Sequence, residues 1–295
     1  ASPTISFAAM SERQQALAVL GEMVLLPGAG LDALDDVSME DWLAKRTVPH
    51  ALYNYMAMHS NASLAEPIDR VAASEQIKIL QQIATRGGGG YYRGGFGRVL
   101  DDIADAIRAN GGEIRTNARV GQIVIRDGRV TGVETAEGTF RAPIVISTAG
   151  IQPTVLKLAG ASQFPAPYVE YVKGLEPGWG FATVRYFLDR PAMPHKMYMV
   201  WSDDSWWNLE RAKRVSEGHE PDEVIMFITV PCNFDPSMAP PGKQCLIAGT
   251  ICSPDPKAAE IDMLYRKLDE QLARCFPAAW AAVERREVDG PAEVS

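Results

Sequence analysis

Apolar positions recur at helical spacing through the first third of the chain and shift to strand-like runs beyond it. The pattern is clearest between Arg98 and Gly150. From Arg98, the residues Val99, Leu100, Ile103, Ala106 and Ile107 return every three or four positions, while Asp101, Asp102, Asp105 and Arg108 fill the other side. This predicts a helix with one buried stripe. Carboxylates crowd its first two turns, where they complement the positive end of the helix dipole. Asn110-Gly111-Gly112 tolerates left-handed backbone and ends it. Glu113 to Thr116 reads as a short strand. Gln122 to Arg126 and Arg129 to Thr135 read as two strands joined by Asp127-Gly128, a two-residue hairpin signal. After a turn at Glu137-Gly138, Thr139 to Ala142 returns, completing a meander. Pro143 to Ser147 is then a continuous apolar run of the kind buried on both faces in a parallel sheet.

Before this stretch the pattern is helical. Ser11 to Leu26 carries Leu17, Leu20, Val24 and Leu25 on one stripe and breaks at Pro27-Gly28. Ser38 is placed to cap a second helix, with Glu40 and Asp41 in its first turn. His50 to His59 and Ser74 to Ile83 give two more. Beyond Gly150, Pro153 to Leu158 suggests a short helix, and Pro165, Pro167, Pro177 and Gly178 mark a linker-like crossing. Gly180 to Leu188, Met197 to Trp201, Val224 to Val230 and Gln244 to Ile251 are strand-like runs suited to a mixed or antiparallel sheet. Ala258 to Phe276 is an amphipathic helix with Ile261, Leu264, Leu268 and Leu272 inward. The fold class is α/β (α+β), divided as 1–86, a helical part; 87–160, the helix, strand and meander; and 161–295, a sheet with a helix.

Few motifs carry chemistry. Gly28-Ala29-Gly30-Leu31-Asp32-Ala33 fits a loose dinucleotide fingerprint, but a helix and Pro27 precede it, and Asp32, Asp35 and Asp36 would repel phosphate. A loop is the expectation there. The glycines at 87–90 are followed by no Lys-Ser/Thr, so they are not a P-loop. His50 and His59 stand nine apart with no metal-ligand spacing, and no metal is expected. Tyr55 and Met58 suit either an apolar cavity or ordinary core, and helical spacing favours core. Met197, Met199 and Trp201 share one strand face, with cavity wall and sheet packing both open. No nucleophile elbow or Cys/His couple is visible, and no catalytic residue can be nominated.

A net charge of -8 and a pI near 5.1, with no long basic run, exclude a sequence-independent grip on nucleic acid. No run of about 18 apolar residues is present to span a bilayer. The expectation is a cytoplasmic protein, with peripheral membrane contact left open. The four cysteines, Cys232, Cys245, Cys252 and Cys275, include no C-x-x-C pair and read as free thiols.

Several stretches together resemble the phytoene desaturase and carotenoid isomerase branch of the amine-oxidase-like flavoproteins. They are Tyr92-Arg93-Gly94-Gly95 opening a helix, the run Gly111 to Val120, Gly128-Arg129-Val130-Thr131-Gly132-Val133, and Val145-Ile146-Ser147-Thr148-Ala149-Gly150. The run Phe234 to Gly242 (FDPSMAPPG) adds to the likeness. The resemblance implies a partial FAD-binding, glutathione-reductase-like domain with a β-meander, joined to a substrate domain of sheet and helices. It implies FAD as cofactor, with the Val120 backbone at the adenine and Thr148, Ala149 and Gly150 near the phosphates and ribose. It places Tyr92, Arg93, Gly94 and Gly95 near flavin and substrate; a turn requiring positive φ explains the glycines equally well. The family's opening strand and glycine fingerprint, and its closing flavin segment, are absent from this sequence, which therefore reads as an internal piece unable to hold FAD tightly alone. The implied activity is oxidation, saturation or isomerisation of a small apolar, polyene or lipid-like substrate. A non-catalytic binding protein derived from the substrate domain, or an amine oxidase proper, are the alternatives.

Overall fold

The computed structural model describes residues 10–87 and 89–290. They divide into two compact units: one is the chain through Val99 together with everything from Gly178 onward, the other Leu100–Pro177.

The first unit opens with helices α1 (Met10–Leu25), α2 (Gly28–Asp32), α3 (Met39–Ala44), α4 (His50–Leu64) and α5 (Ala73–Arg86). Gly28–Ala33, expected as a loop, winds into the single turn of α2, where Gly30 N and Leu31 N both bond Pro27 O. A helix still precedes it, so no strand-to-helix phosphate turn forms. Ser38 caps α3 as its sequence requires, its hydroxyl accepting from Asp41 N at 3.0 Å. On α1 the buried stripe is Ala16, Val19 and Met23, while Leu17, Val24 and Leu25 are exposed. The expected stripe is thus rotated by one position. Gln81 of α5 donates to the carbonyls of Met23 and Leu26 at 2.9 Å, which holds the Met23 side against α5.

The rest of this unit is a five-stranded antiparallel sheet. Its strands are β4 (Gly180–Leu188), β5 (Met197–Val200), β6 (Met226–Thr229), β7 (Gln244–Cys252) and β8 (Val283–Asp289), in the order β5-β6-β7-β4-β8. One face is sealed. Ala182, Val184, Tyr186 and Leu188 alternate inward along β4, beside Ile228, Leu246 and Ala248. Helix α8 (Leu209–Ser216) lies between β5 and β6 in the chain, and helix α9 (Ala258–Cys275) closes this core with Leu264, Leu268 and Leu272, as the amphipathic pattern anticipates. Truncating one of these leucines to alanine costs about 2–5 kcal/mol.

The second unit holds the meander: β1 (Val120–Arg126), β2 (Arg129–Thr135) and β3 (Gly138–Arg141). Asp127 and Gly128 take φ of 49° and 72°, the hairpin turn that Asp-Gly favours. Gly132 is required by close approach, since a Cβ there would lie 2.1 Å from Phe140 O. A helical turn at Pro153–Leu158 and α7 (Ala166–Lys173) follow, the latter within the stretch read as linker. Gln152 joins them by donating to Val172 O and Leu175 O. Two expectations fail. Glu113–Thr116 and Pro143–Ser147 are not strands, because neither has a ladder partner among the described residues. Helix α6 (Gly95–Ala109) forms, but Leu100, Ile103 and Ile107 of its apolar stripe are exposed rather than buried. No described helix is long and apolar enough to cross a membrane.

Candidate functional site

In the first unit, the sheet face opposite α9 is only partly covered. Strand register lays its side chains in rows: Met199, Phe227, Gly249, Thr183 and Asp289 form one, and Met197, Thr229, Ile247, Arg185 and Glu287 the next. Met197 is 48% exposed, and Met199, Phe227 and Ile247 are half-buried. The rows grade in polarity. Thioether, aromatic and aliphatic groups occupy the β5–β7 side, whereas on the β4–β8 side Arg185 pairs with Asp289 at 2.5 Å and stands 4.0 Å from Glu287. Such a face offers apolar contact at one side and an ionic border at the other.

One strap lies against this face. Tyr91 donates its hydroxyl to Thr229 Oγ1 at 3.1 Å, and its ring stacks on Phe234 with centroids 4.6 Å apart. Lys196 stands over Phe234 at 5.0 Å. Three residues on, Gly94 N donates to Asp235 Oδ2 at 2.6 Å, and Asp235 Oδ1 accepts from Ser237 N at 3.0 Å. The Gly94 amide, then Ser237, with lesser attraction from Arg93, hold the Asp235 carboxyl below the usual carboxylate range. Gly95 is buried with φ of 82°, and a Cβ on it would come within 2.9 Å of Met238 Cε. Gly94 also has positive φ, 79°. Both glycines therefore meet the turn explanation, and Gly95 adds close approach.

The other residues singled out from sequence scatter more. Tyr92 is 58% exposed, its ring 5.9 Å from that of Phe96, and Arg93 is exposed. Tyr55 and His59 sit one turn apart on α4, ring centroids 6.1 Å apart. Burial raises the Tyr55 hydroxyl and lowers the His59 imidazole. Met58 is buried. Met199 lies in the apolar row, and Trp201, half-buried, follows the end of β5. Sequence reading missed Tyr91, Thr229, Phe234, Asp235 and Met238 as parts of one structure. The run at 234–242 supported a family likeness only, although its aspartate ahead of a proline was a visible turn signal.

The cofactor candidates belong to the second unit. Val120 opens β1 half-buried, and the register slips between Val120 and Gln122. This is the bulge that the broken alternation at Arg119 to Ile123 suggests. Thr148, Ala149 and Gly150 are exposed at the end of the extended Pro143–Ser147 segment, with φ of 88° at Gly150. Ser147 and Thr154 hydroxyls meet at 2.7 Å beside them. These positions present backbone and hydroxyl groups, polar groups of the kind a ribose or pyrophosphate can hydrogen-bond.

Residues 32–292 match the family of flavin containing amine oxidoreductases. The prolycopene isomerase, chloroplastic, of Arabidopsis thaliana is 28% identical over 218 residues, covering 70% of this chain and 35% of that protein. The phytoene desaturase (lycopene-forming) of Pseudescherichia vulneris is 26% identical over 151 residues, 50% of this chain and 30% of that protein. The chain thus spans about a third of the length of the curated relatives it matches. An oxidoreductase from Methanosarcina mazei superposes with a TM-score of 0.74 over 96% of this chain and 61% of that one, at 20% identity, a likeness of fold.

Proposed function

The chain belongs to the family of flavin containing amine oxidoreductases, and we propose that its polypeptide acts as an FAD-dependent oxidoreductase on an elongated apolar substrate. The class we favour is the polyene, which the complete protein would desaturate, dehydrogenate or isomerise. The observation that carries this reading is the half-covered apolar patch of Met197, Met199, Phe227 and Ile247, in two adjacent rows of the sheet face that Tyr91 meets at Thr229. Methionines there adapt to a chain of repeating unsaturated carbons, whose π-bonds offer sulfur and aromatic contacts but no hydrogen bonds.

In this reading the flavin, when bound, supplies the two-electron chemistry. The chain's own residues bind and orient. The Val120 backbone and Thr148 to Gly150 would hold the adenosine end, and the strap from Tyr91 to Gly95 would wall the substrate face. Arg185 with Glu287 and Asp289 would border the apolar surface with charge, so that a wholly apolar molecule gains nothing by sliding past Ile247. The names of the matched relatives favour a polyene over an amine.

Visible absorption after FAD addition and desalting tests the proposal, on these residues alone and on the whole product of the gene. Flavin retained by the whole product and bleached anaerobically by a polyene supports it. Retention by neither form overturns it.

A further inference from the structure

Gly249 has no local reason to be a glycine. It lies in β7, the middle strand of the five-stranded sheet, where a glycine forfeits side-chain packing and weakens the strand. Its φ is outside the left-handed range, so the backbone accepts any residue there. Space is available as well. A Cβ on Gly249 meets Thr183 Oγ1 at 3.4 Å, Ala182 O at 3.6 Å and Phe181 Cδ1 at 3.7 Å, which are ordinary contacts. These three nearest atoms all belong to β4, so nothing from a helix or loop comes closer than 3.7 Å. Gly132 shows the contrast, since its Cβ would lie 2.1 Å from Phe140 O.

The absent side chain leaves an opening in the candidate substrate face. Gly249 stands in its row between Phe227 on β6 and Thr183 on β4, both half-buried, and is itself buried at the bottom of the gap. With strands about 4.8 Å apart, the two flanking side chains rise about 10 Å from one another across a floor of bare main chain. Ile247 borders the floor along β7, on the same strand face. Thr229, where Tyr91 is fastened, is two residues beyond Phe227 on β6, so the opening lies next to the strap.

We infer that Gly249 sets the width of the substrate that crosses this face: a slender conjugated chain lies over its main chain, between Phe227 and Thr183, and a side chain at 249 shuts it out. The inference rests on the reading of this face as a substrate wall. The gap itself selects a flat, thin stretch of molecule. A planar π-system meets the Phe227 ring favourably and asks for no hydrogen bonds, while the main chain of a central strand has none to spare, being engaged with neighbours on both sides. A chain twisted out of plane at this point collides with Phe227 or Thr183. A structural role for the glycine requires left-handed backbone or a steric clash, and neither is present.

The test uses the 295-residue chain without flavin and a straight conjugated tetraene, the methyl ester of trans-parinaric acid, whose fluorescence rises in an apolar site. Gly249→Ala and Gly249→Val are compared with the parent by tetraene titration and by urea unfolding. Affinity is expected to fall about tenfold in the alanine variant, the effect of one misplaced methyl in an apolar pocket, and further in the valine variant. The urea midpoints are expected to hold or rise, because both residues restrict the unfolded chain relative to glycine and valine favours strands. If valine disturbs the sheet, alanine carries the comparison. A glycine kept for structure gives the reverse, a lowered midpoint in both variants with affinity unchanged, and that result overturns the inference. Equal affinity in all three proteins overturns it alone, whereas absence of binding by the parent overturns it together with the reading of the face. Flavin enters neither measurement, so the outcome stands apart from flavin retention.

Discussion

Gly94 N donates to the carboxylate of Asp235 at 2.6 Å, a hydrogen bond between residues 141 positions apart. It ties the segment Tyr91–Gly95 to the short turn that follows β6. The bond draws its strength from the ionised carboxylate. Asp235→Ala is expected to speed hydrogen exchange at Gly94 and Gly95 about tenfold or more while leaving exchange in β4 and β7 unchanged. Acid acts in the same direction. Because the folded carboxyl is held below its ordinary value of 3.8, the attachment is complete above that pH and is lost as pH falls through the lower, folded value. Exchange at Gly94 that is insensitive to Asp235→Ala would show that the strap is held by Tyr91 alone.

Tyr91 makes two separable contacts. Tyr91→Phe removes the bond to Thr229 and keeps the stack on Phe234, at a cost of about 0.5–1.5 kcal/mol. Tyr91→Ala removes both and is expected to cost roughly 0.5–1.5 kcal/mol more. Urea unfolding of the three proteins checks the order. Under the proposed function, the alanine variant of the whole polypeptide should raise KM for a long apolar substrate more than it lowers kcat, since in that reading the ring contributes binding surface and no chemistry.

The contact of Gly95 with Met238 yields a double-mutant cycle. Gly95→Ala adds a Cβ 2.9 Å from Met238 Cε and forces an L-residue to φ of 82°. The left-handed backbone alone costs about 1–2 kcal/mol. Met238→Ala in the same protein relieves the clash and leaves the backbone cost. The double variant should therefore be less destabilised than the sum of the singles, with a coupling of about 0.5–1 kcal/mol. Strict additivity would mean that the flexible Met238 side chain swings aside without loss.

Where local pattern and long-range packing agree, the fold is legible in sequence. The Asp127-Gly128 hairpin, the Ser38 cap and the inward leucines of α9 are all of this kind, each decided within a few residues. Helix α1 shows where pattern falls short: two apolar stripes are available to it, and contact with Gln81, far along the chain, selects the one through Met23. Strand β8 was missed because VERREVD carries five charges. It lies at the sheet edge, where Arg285 stacks over Phe187 at 4.1 Å and Arg286 bonds Asp269 at 3.0 Å, so charge is compatible with pairing. Pro143–Ser147 shows the opposite limit. Its composition reads as a buried strand, but burial is a property of the partner, and Ile144 and Ile146 find none among the described residues. At the candidate site, residue type pointed to the Tyr92–Gly95 segment, but which tyrosine faces the sheet depends on a contact with Thr229 that no local signal contains.

His59 links burial to pH. It is 5% exposed on α4, its Nδ1 has no partner among the described residues, and burial lowers its pKa from 6.5. The folded protein therefore holds it neutral, while the unfolded chain takes up a proton near pH 6.5. The stabilisation that results is complete above pH 6.5 and is lost as pH falls from there through the depressed folded value. One such group contributes at most about 1.4 kcal/mol per pH unit within that window. His59→Gln removes the titration, so the stability of the variant should vary less between pH 7 and pH 5. Unfolding free energy from urea titrations at half-unit pH intervals measures the effect. Equal acid slopes in His59→Gln and the parent protein would place the proton uptake elsewhere and show that the imidazole charges within the fold.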